Sequence, residues 1–168
     1  MTSNHVNKSL LGNYKINDVD VNYLGSEIRN LKEYYKEGIN VNEVETVFVS
    51  PDAGGAVRAR KFADMFHGDI AIVDKRRPKA GVAEVMALIG DVKDKHAVLV
   101  DDMVDSGGTL CKAAQAIMDQ GALSVRAYIT HGILSGKACQ LVEDSVLEEL
   151  VITDTIRYVC PPKITKIR

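Results

Sequence analysis

Just past its middle, the chain reads Val98-Leu99-Val100-Asp101-Asp102-Met103-Val104-Asp105-Ser106-Gly107-Gly108-Thr109. In this stretch an apolar β-branched run leads directly into two carboxylates and a glycine-rich turn. Because the apolar run does not alternate with polar residues, it predicts a strand that is buried on both faces of a parallel sheet. The two carboxylates then lie at the carboxyl end of that strand. Ligands of open α/β sheets bind at this edge, where the next loop and helix begin. The stretch therefore predicts an α/β fold with a binding site after this strand.

The turn after the carboxylates has the composition of an anion-binding loop. Gly107 and Gly108 allow backbone N–H groups to approach an anion closely, and Ser106 and Thr109 add hydroxyl donors. A helix expected from about Leu110 would direct its positive end toward the same place. We interpret the loop as a site for a phosphate monoester.

The acidic pair indicates the chemistry of the part of the ligand that is not phosphate. Asp101 and Asp102 would repel a phosphate group, so we expect them to contact another part of the ligand, where they accept hydrogen bonds from vicinal hydroxyl groups or hold a divalent cation. Together with the loop they indicate a phosphorylated sugar. The alternative is a structural turn in which Asp105 or Ser106 caps the helix.

A second loop of similar composition follows the apolar strand expected over 46–49. It reads Ser50-Pro51-Asp52-Ala53-Gly54-Gly55 and precedes a helix expected over 56–66. Asp52 could bind a cation between phosphate groups, as carboxylates do in phosphoryl-transfer sites. It could equally be a turn residue that caps the helix. The residues alone leave both interpretations open.

Three consecutive cations, Lys75, Arg76 and Arg77, follow a strand expected over 70–73. A run this short usually forms a solvated surface turn. At the same sheet edge as the two loops, Lys and Arg could instead stabilise the charge that develops on a transferred diphosphoryl group. Arg76 lies between the other two in an extended segment, so we expect its side chain to point away from theirs.

These motifs, in this order, resemble those of the ribose-phosphate diphosphokinase (phosphoribosyl pyrophosphate synthetase) family, and the central loop resembles the phosphoribosyl diphosphate motif of type I phosphoribosyltransferase folds. The similarity extends over about 44–156 and is most distinctive at 49–60, 73–78, 82–86 and 130–136. The resemblance implies a transferase of nucleotide biosynthesis that moves diphosphate from ATP to the 1-hydroxyl of ribose 5-phosphate, with Mg²⁺, to make phosphoribosyl diphosphate.

The resemblance also implies roles for individual residues. Lys75 and Arg77 belong to the family's mobile catalytic loop, where Lys75 would stabilise the transition state and Arg77 would contact the ribose phosphate or the moving phosphates. Asp52 would hold the metal. The sugar phosphate would be bound by Asp101, Asp102, Asp105, Ser106, Gly107, Gly108 and Thr109.

The chain departs from the family in length. It resembles only the second of two stacked α/β domains, and the preceding domain supplies most of the family's ATP adenine site. We therefore expect catalysis when another chain supplies the missing N-terminal half, in a homo-oligomer or in a complex with that half. One alternative is a catalytically silent regulatory subunit that binds ribose phosphates and joins true synthetase subunits. The other is a stand-alone phosphoribosyltransferase, although no base-recognition region is evident.

Composition indicates one ordinary globular domain. The 168 residues are 46% hydrophobic and 26% charged, enough for a single core. The net charge of −2 gives no reason to expect nucleic-acid binding. No apolar run approaches the length of a membrane span, and the polar start has no secretion signal, so we expect no membrane partner and a cytoplasmic location. The three cysteines, Cys111, Cys139 and Cys160, are expected to be free thiols.

Periodicity and turn residues predict alternating strands and helices. Strands are expected near 46–49, 70–73, 97–101, 125–129 and 150–153, and helices near 24–37, 56–66, 111–120 and 136–143. This order predicts a mainly parallel sheet flanked by helices, the phosphoribosyltransferase-like architecture that the resemblance also implies.

The ends of the chain are expected to lie outside this sheet. Residues 1–17 predict a polar, loosely structured segment, 18–156 a single domain, and 157–168 a C-terminal tail. We expect regular structure to end at Cys160-Pro161-Pro162-Lys163.

Overall fold

The computed structural model describes residues 14–16, 19–21, 45–76, 85–156 and 161–167. The chain divides into two units, Met1–Glu43 and Val44–Arg168. In the first unit, β1 (Tyr14–Ile16) pairs antiparallel with β2 (Val19–Val21). Strand β1 corrects our expectation of loose structure at these three positions, where Tyr and Ile favour strands. The helix expected over 24–37 lies outside the described residues, and the predicted domain boundaries stay a prediction.

The described part of the second unit contains a seven-stranded sheet in the order β5-β4-β3-β6-β7-β8-β9. Neighbouring strands run parallel throughout, except for the antiparallel pair β4 and β5. The strands are β3 (Thr46–Ser50), β4 (Asp69–Arg76), β5 (Val85–Ile89), β6 (His96–Val104), β7 (Ser124–Gly132), β8 (Glu149–Thr153) and β9 (Ile164–Ile167). The predicted mainly parallel α/β sheet is confirmed.

Helices follow three of the parallel strands. A 3-10 turn (Ala53–Gly55) and α1 (Ala56–Phe66) follow β3, α2 (Gly108–Asp119) follows β6, and α3 (Ala138–Glu143) follows β7. Gly121, whose φ is +90°, lies just past α2 and donates its N–H to the Met118 carbonyl at 2.9 Å, which ends the helix. No helix in the described ranges is both long and apolar enough to cross a membrane.

Alternate residues of the central strands cover opposite faces of the sheet. On one face, Phe48 packs against Phe62 and Phe66 of α1, with ring centroids 6.1 and 5.5 Å apart. On the other, Leu99 belongs to the same fully buried cluster as Ile117 of α2 and residues of α3. Helices therefore cover both faces, which explains why these strands are continuously apolar.

Three strands differ from expectation. We did not predict β5, which is an edge strand with Ile89 54% exposed. Strand β4 continues through Lys75 because β5 pairs with it there, so Lys75 lies in a strand and not in a surface turn. Strand β9 shows that regular structure does not end at 160–163. It pairs with β8, and Leu150 donates its N–H to the Lys163 carbonyl at 3.0 Å.

Two of the three cysteines lie in the described residues. Cys111 and Cys139 are free thiols, as predicted. Both pack partly against the core, and burial raises the pKa of the Cys111 thiol. A raised pKa leaves less of the nucleophilic thiolate. Cys160 lies outside the described residues.

Candidate functional site

The candidate site lies where the order of the strands reverses. Strand β3 pairs with β4 on one side and with β6 on the other, all parallel. The chain therefore leaves the carboxyl ends of β3 and β6 side by side, and ligands of open α/β sheets bind at such a switch point. The loops that follow these two strands are the two glycine-containing loops singled out from the sequence.

A pocket of about 180 Å³ opens at this edge. Its lining comes from the loop after β3, from β6 and the loop after it, from the start of α2 and from β7: Pro51, Asp101, Met103, Val104, Asp105, Ser106, Gly107, Thr109, Leu110 and Ile129. The pocket brings together five of the seven residues predicted to bind substrate. The other two, Asp102 and Gly108, lie beside it in the chain.

The start of α2 has the features expected of an anion site. Gly107 precedes the helix with φ +77°, a left-handed conformation that favours glycine. The N-cap residue of α2 is Gly107, which has no side chain, so neither Asp105 nor Ser106 occupies the N-cap position that the alternative gave it. The first N–H groups of a helix have no partner within the helix. Gly107 and Thr109 at this helix start line the same pocket as Ser106, so a ligand in the pocket would lie at the positive end of the helix.

Arg58, on the first turn of α1, binds both members of the acidic pair. Its Nη1 lies 2.8 Å from Asp101 Oδ1, and its Nη2 lies 3.2 Å from Asp102 Oδ2. We did not predict this contact from the sequence. The available signal was the position of Arg58 immediately after the β3 loop, which places it at the same sheet edge as the acidic pair.

The two carboxyl groups of the pair have different surroundings. The Asp101 side chain is 26% exposed and that of Asp102 is 47% exposed. Burial raises the pKa of Asp101 to about 6, although the Asp102 backbone N–H donates to its Oδ1 at 2.9 Å and opposes the shift. The Asp101 carboxyl group therefore takes up a proton near pH 6, well above the usual range of an aspartate.

Asp52 has the capping role that we considered for it. Its Oδ1 accepts a hydrogen bond from the Gly55 N–H at 2.9 Å, and the Ser50 hydroxyl donates to the Asp52 carbonyl at 2.6 Å. A carboxylate has a second oxygen, so this cap leaves room for a cation ligand.

The donor set at this sheet edge suits a shared Mg²⁺ ion. The described residues contain no cluster of three or more His, Cys, Asp or Glu side chains that could hold a metal on their own. Mg²⁺ in phosphoryl-transfer sites usually takes one or two protein carboxylates and completes its shell with water and substrate phosphates. Asp52 and the acidic pair fit that requirement, and the metal role of Asp52 stays a prediction.

Of the two predicted catalytic cations, one lies in the described residues. Lys75 extends from β4 to the phosphate-type loop, where its Nζ donates to Thr109 Oγ1 at 3.3 Å. The ammonium group therefore lies beside the place where an anion would bind. Arg77 and the side chain of Arg76 lie outside the described part of the chain.

One family model matches the part of the chain that contains the described residues of the candidate site. The family model described as "Phosphoribosyl transferase domain" matches residues 25–158. A ribose-phosphate pyrophosphokinase of Caldanaerobacter subterraneus is 53% identical over 124 residues, which are 74% of this chain and 39% of that protein. One from Marinomonas is 61% identical over 109 residues, 64% of this chain and 35% of that protein. The chain thus spans less than half the length of these relatives.

Solved structures confirm the fold. The crystal structure of phosphoribosylpyrophosphate synthetase from Mycobacterium smegmatis matches with a TM-score of 0.73 and 31% identity, over 83% of this chain and 45% of that one. A purine phosphoribosyltransferase from Pyrococcus horikoshii matches with a TM-score of 0.54 and 20% identity, over 85% and 86% of the two chains. The predicted phosphoribosyltransferase-like architecture and the resemblance to the synthetases are both confirmed.

Proposed function

Because this chain belongs to the phosphoribosyl transferase domain family, we propose that it is the sugar-phosphate half of a ribose-phosphate diphosphokinase, which transfers diphosphate from ATP to the 1-hydroxyl of ribose 5-phosphate. One observation supports the proposal above all: a single pocket is lined by the start of α2, by the hydroxyl-bearing Ser106 and Thr109, and by two acidic residues, Asp101 and Asp105. A phosphorylated sugar presents the matching groups, a phosphate at one end and hydroxyls at the other.

The phosphate of the sugar would bind at the start of α2. The N–H groups of the first turn and the hydroxyls of Ser106 and Thr109 supply donors, and the left-handed Gly107 directs the chain into the helix. The helix holds the backbone donors in place before the ligand arrives, so little ordering cost opposes their binding to it.

The ribose ring would bind beside the acidic pair. Asp101 and Asp102 have only acceptor oxygens when ionised, and vicinal hydroxyls are donors that match them. Bound in this way at both ends, the sugar would present its 1-hydroxyl in one orientation, and such positioning contributes much of the rate in phosphoryl-type transfers.

Lys75 and Arg77 would stabilise charge on the moving diphosphoryl group. The Lys75 ammonium already lies beside the anion loop, 3.3 Å from Thr109 Oγ1. When bound, Mg²⁺ would neutralise substrate phosphate oxygens, with Asp52 as its protein ligand.

The matched segment covers 39% of the Caldanaerobacter relative, so the ATP site would need residues that this sequence does not contain. We propose that the rest of a synthetase supplies them, from a homo-oligomer, from a separate N-terminal half or from the same polypeptide. A second candidate is a subunit that binds ribose phosphates without turnover and joins active synthetase subunits. For a stand-alone phosphoribosyltransferase, the support is the shared family domain and fold.

The proposal is tested by turnover together with sugar binding. Purified chain with Mg²⁺, ATP and ribose 5-phosphate, alone and with a synthetase N-terminal half, is assayed for AMP and phosphoribosyl diphosphate. Where the wild type turns over, Lys75→Ala should lower the rate by about 100-fold, because charge stabilisation of a transition state has that size. Binding of ribose 5-phosphate should remain nearly intact by calorimetry.

A matched control and two outcomes complete this test. Lys93→Ala removes an exposed lysine just before β6 and should leave turnover unchanged. Loss of ribose 5-phosphate binding in Lys75→Ala would show that the lysine binds the ground state, against the transition-state role. Intact sugar binding without turnover, even with the N-terminal half, would favour the silent subunit.

A further inference from the structure

Arg58 joins two elements that lie far apart in the chain. It belongs to α1, the helix after β3, and the carboxylates that it binds lie near the end of β6. Asp101 comes 43 residues after Arg58. Two different guanidinium nitrogens reach two different carboxylates, at 2.8 and 3.2 Å. A planar, forked cation fixes both partners at once, which a lysine ammonium cannot do.

The charge of Arg58 matters because an anion loop is so close. Asp101 lines the same pocket as Ser106 and Gly107. Two uncompensated carboxylates beside that loop would oppose the binding of any phosphate monoester. The guanidinium cancels one of the two charges, and the acidic pair keeps acceptor oxygens.

Arg58 contacts the acidic pair without lining the pocket. Its side chain is 14% exposed, and it is not among the described residues that line the cavity. The β3 loop leaves little space around it. A Cβ added at Gly55 would lie 2.5 Å from Ser50 Oγ and 3.4 Å from Arg58 Nη1. Glycine at position 55 therefore allows the loop to pack closely beside the guanidinium.

We infer that Arg58 is a positioning residue that holds Asp101 and Asp102 as a paired acceptor for the 2- and 3-hydroxyls of ribose, and so sets the preference for ribose over deoxyribose phosphates. This inference rests on the proposed function of the same pocket. A site built to bind a hydroxyl rejects an analogue without it, because its own polar groups are left unpaired. Without Arg58 the carboxylates would separate, and that preference would be lost.

The test compares three ligands by calorimetry: ribose 5-phosphate, 2-deoxyribose 5-phosphate and inorganic phosphate, each with Mg²⁺. In the wild type, the missing 2-hydroxyl should weaken binding by about tenfold or more. Arg58→Met should reduce this preference to about twofold or less. It should also weaken inorganic phosphate binding, because the carboxylates beside the anion loop then lack their counter-charge, but it should weaken ribose 5-phosphate binding more, because only the sugar uses the paired acceptors. Arg58→Lys keeps the charge but not the fork, so its preference should fall between the two.

Arg60→Met is the matched control, because Arg60 lies two residues further along the same helix and is exposed. It should keep the full preference for ribose. The inference is overturned if folded Arg58→Met still discriminates like the wild type, or if it loses phosphate and sugar affinity equally, since that would indicate a general structural role. If circular dichroism shows that Arg58→Met does not fold, full discrimination by Arg58→Lys overturns it instead. No ribose 5-phosphate binding in the wild type would instead contradict the proposed function, and the inference with it.

Discussion

Asp101 has a carboxyl group whose surroundings favour the neutral form. Its pKa rises from 3.8 to about 6, chiefly because of burial. A group whose folded-state pKa is raised contributes stability that is present below the unfolded pKa and is lost as pH rises through the folded pKa. The protein should therefore lose stability between about pH 4 and pH 6 through this one group.

Asp101→Asn removes that dependence. Relative to the variant, the wild type should lose roughly 1–2 kcal/mol of unfolding free energy between pH 4 and pH 7, a value reduced for partial solvent exposure. Above pH 7 the difference should be constant. Thermal or urea unfolding of both proteins across pH 4–8, without phosphate, measures it. Parallel profiles for the two proteins would show that Asp101 titrates normally.

At the scale of residues, sequence reasoning found the groups at the pocket but not their partners. Asp101, Ser106 and Thr109 were identifiable because they follow one apolar strand in an unbroken run. Arg58 was not, because its contact depends on β3 and β6 being neighbours, which the sequence does not state. The raised pKa of Asp101 depends on burial by other elements in the same way.

At the scale of elements, the turn into α2 depends on one glycine. Gly107 has φ +77°, whereas Gly108 is the first residue of the helix and has no atom within 4 Å of an added Cβ. Gly107→Ala should therefore lower the unfolding free energy by about 1–2 kcal/mol, because an L-residue is strained in that conformation. Gly108→Ala should be neutral or slightly stabilising, since alanine favours helix.

Urea unfolding of these two glycine variants gives the comparison. Equal effects of the two substitutions would contradict the assignment of the strained position to Gly107. Sulfate binding to each variant, measured by calorimetry or in crystals, would add a functional comparison. A displaced turn also displaces the donors of the anion site, so it should weaken sulfate binding.

Strand β9 makes a second prediction at this scale. Ile164 is 4% exposed on one edge of the sheet, and Ile89 is 54% exposed on the other. Ile164→Ala should cost about 2–4 kcal/mol of unfolding free energy, because it removes buried methyl groups and leaves a cavity. Ile89→Ala should cost less than about 1 kcal/mol, since a largely exposed side chain loses little burial. A small effect at Ile164 would show that β9 is not a stable part of the sheet.

The strands that sequence patterns predicted are those whose residues are mostly buried in the core. Strands β3, β6, β7 and β8 are largely buried, so apolar residues predominate in them. The edge strand β9 mixes polar and apolar residues, whereas β5 is apolar but half-buried or exposed over 86–89, and each pairs with one neighbouring strand. The full length of β4 was missed because its extension through Lys75 depends on pairing with β5.

At the scale of the whole molecule, the reversal in strand order determines where the site lies. It places the β3 loop with Asp52 and the end of β6 with the acidic pair at one edge of the sheet. The alternation of strands and helices predicted this edge, and the family comparison confirms the architecture. Sequence could not give the strand order itself, because pairing between β3 and β6 joins segments far apart in the chain.

The central claim is that this edge of the sheet binds a sugar phosphate, and titration of ribose 5-phosphate into the chain with Mg²⁺ tests it most directly. We predict saturable binding at one site per chain. Asp101→Ala should weaken it by at least about tenfold through loss of a charged hydrogen-bond acceptor. Asp64→Ala, which removes an exposed carboxylate from α1, should leave it unchanged. The absence of binding, or binding that Asp101→Ala does not weaken, would contradict the claim.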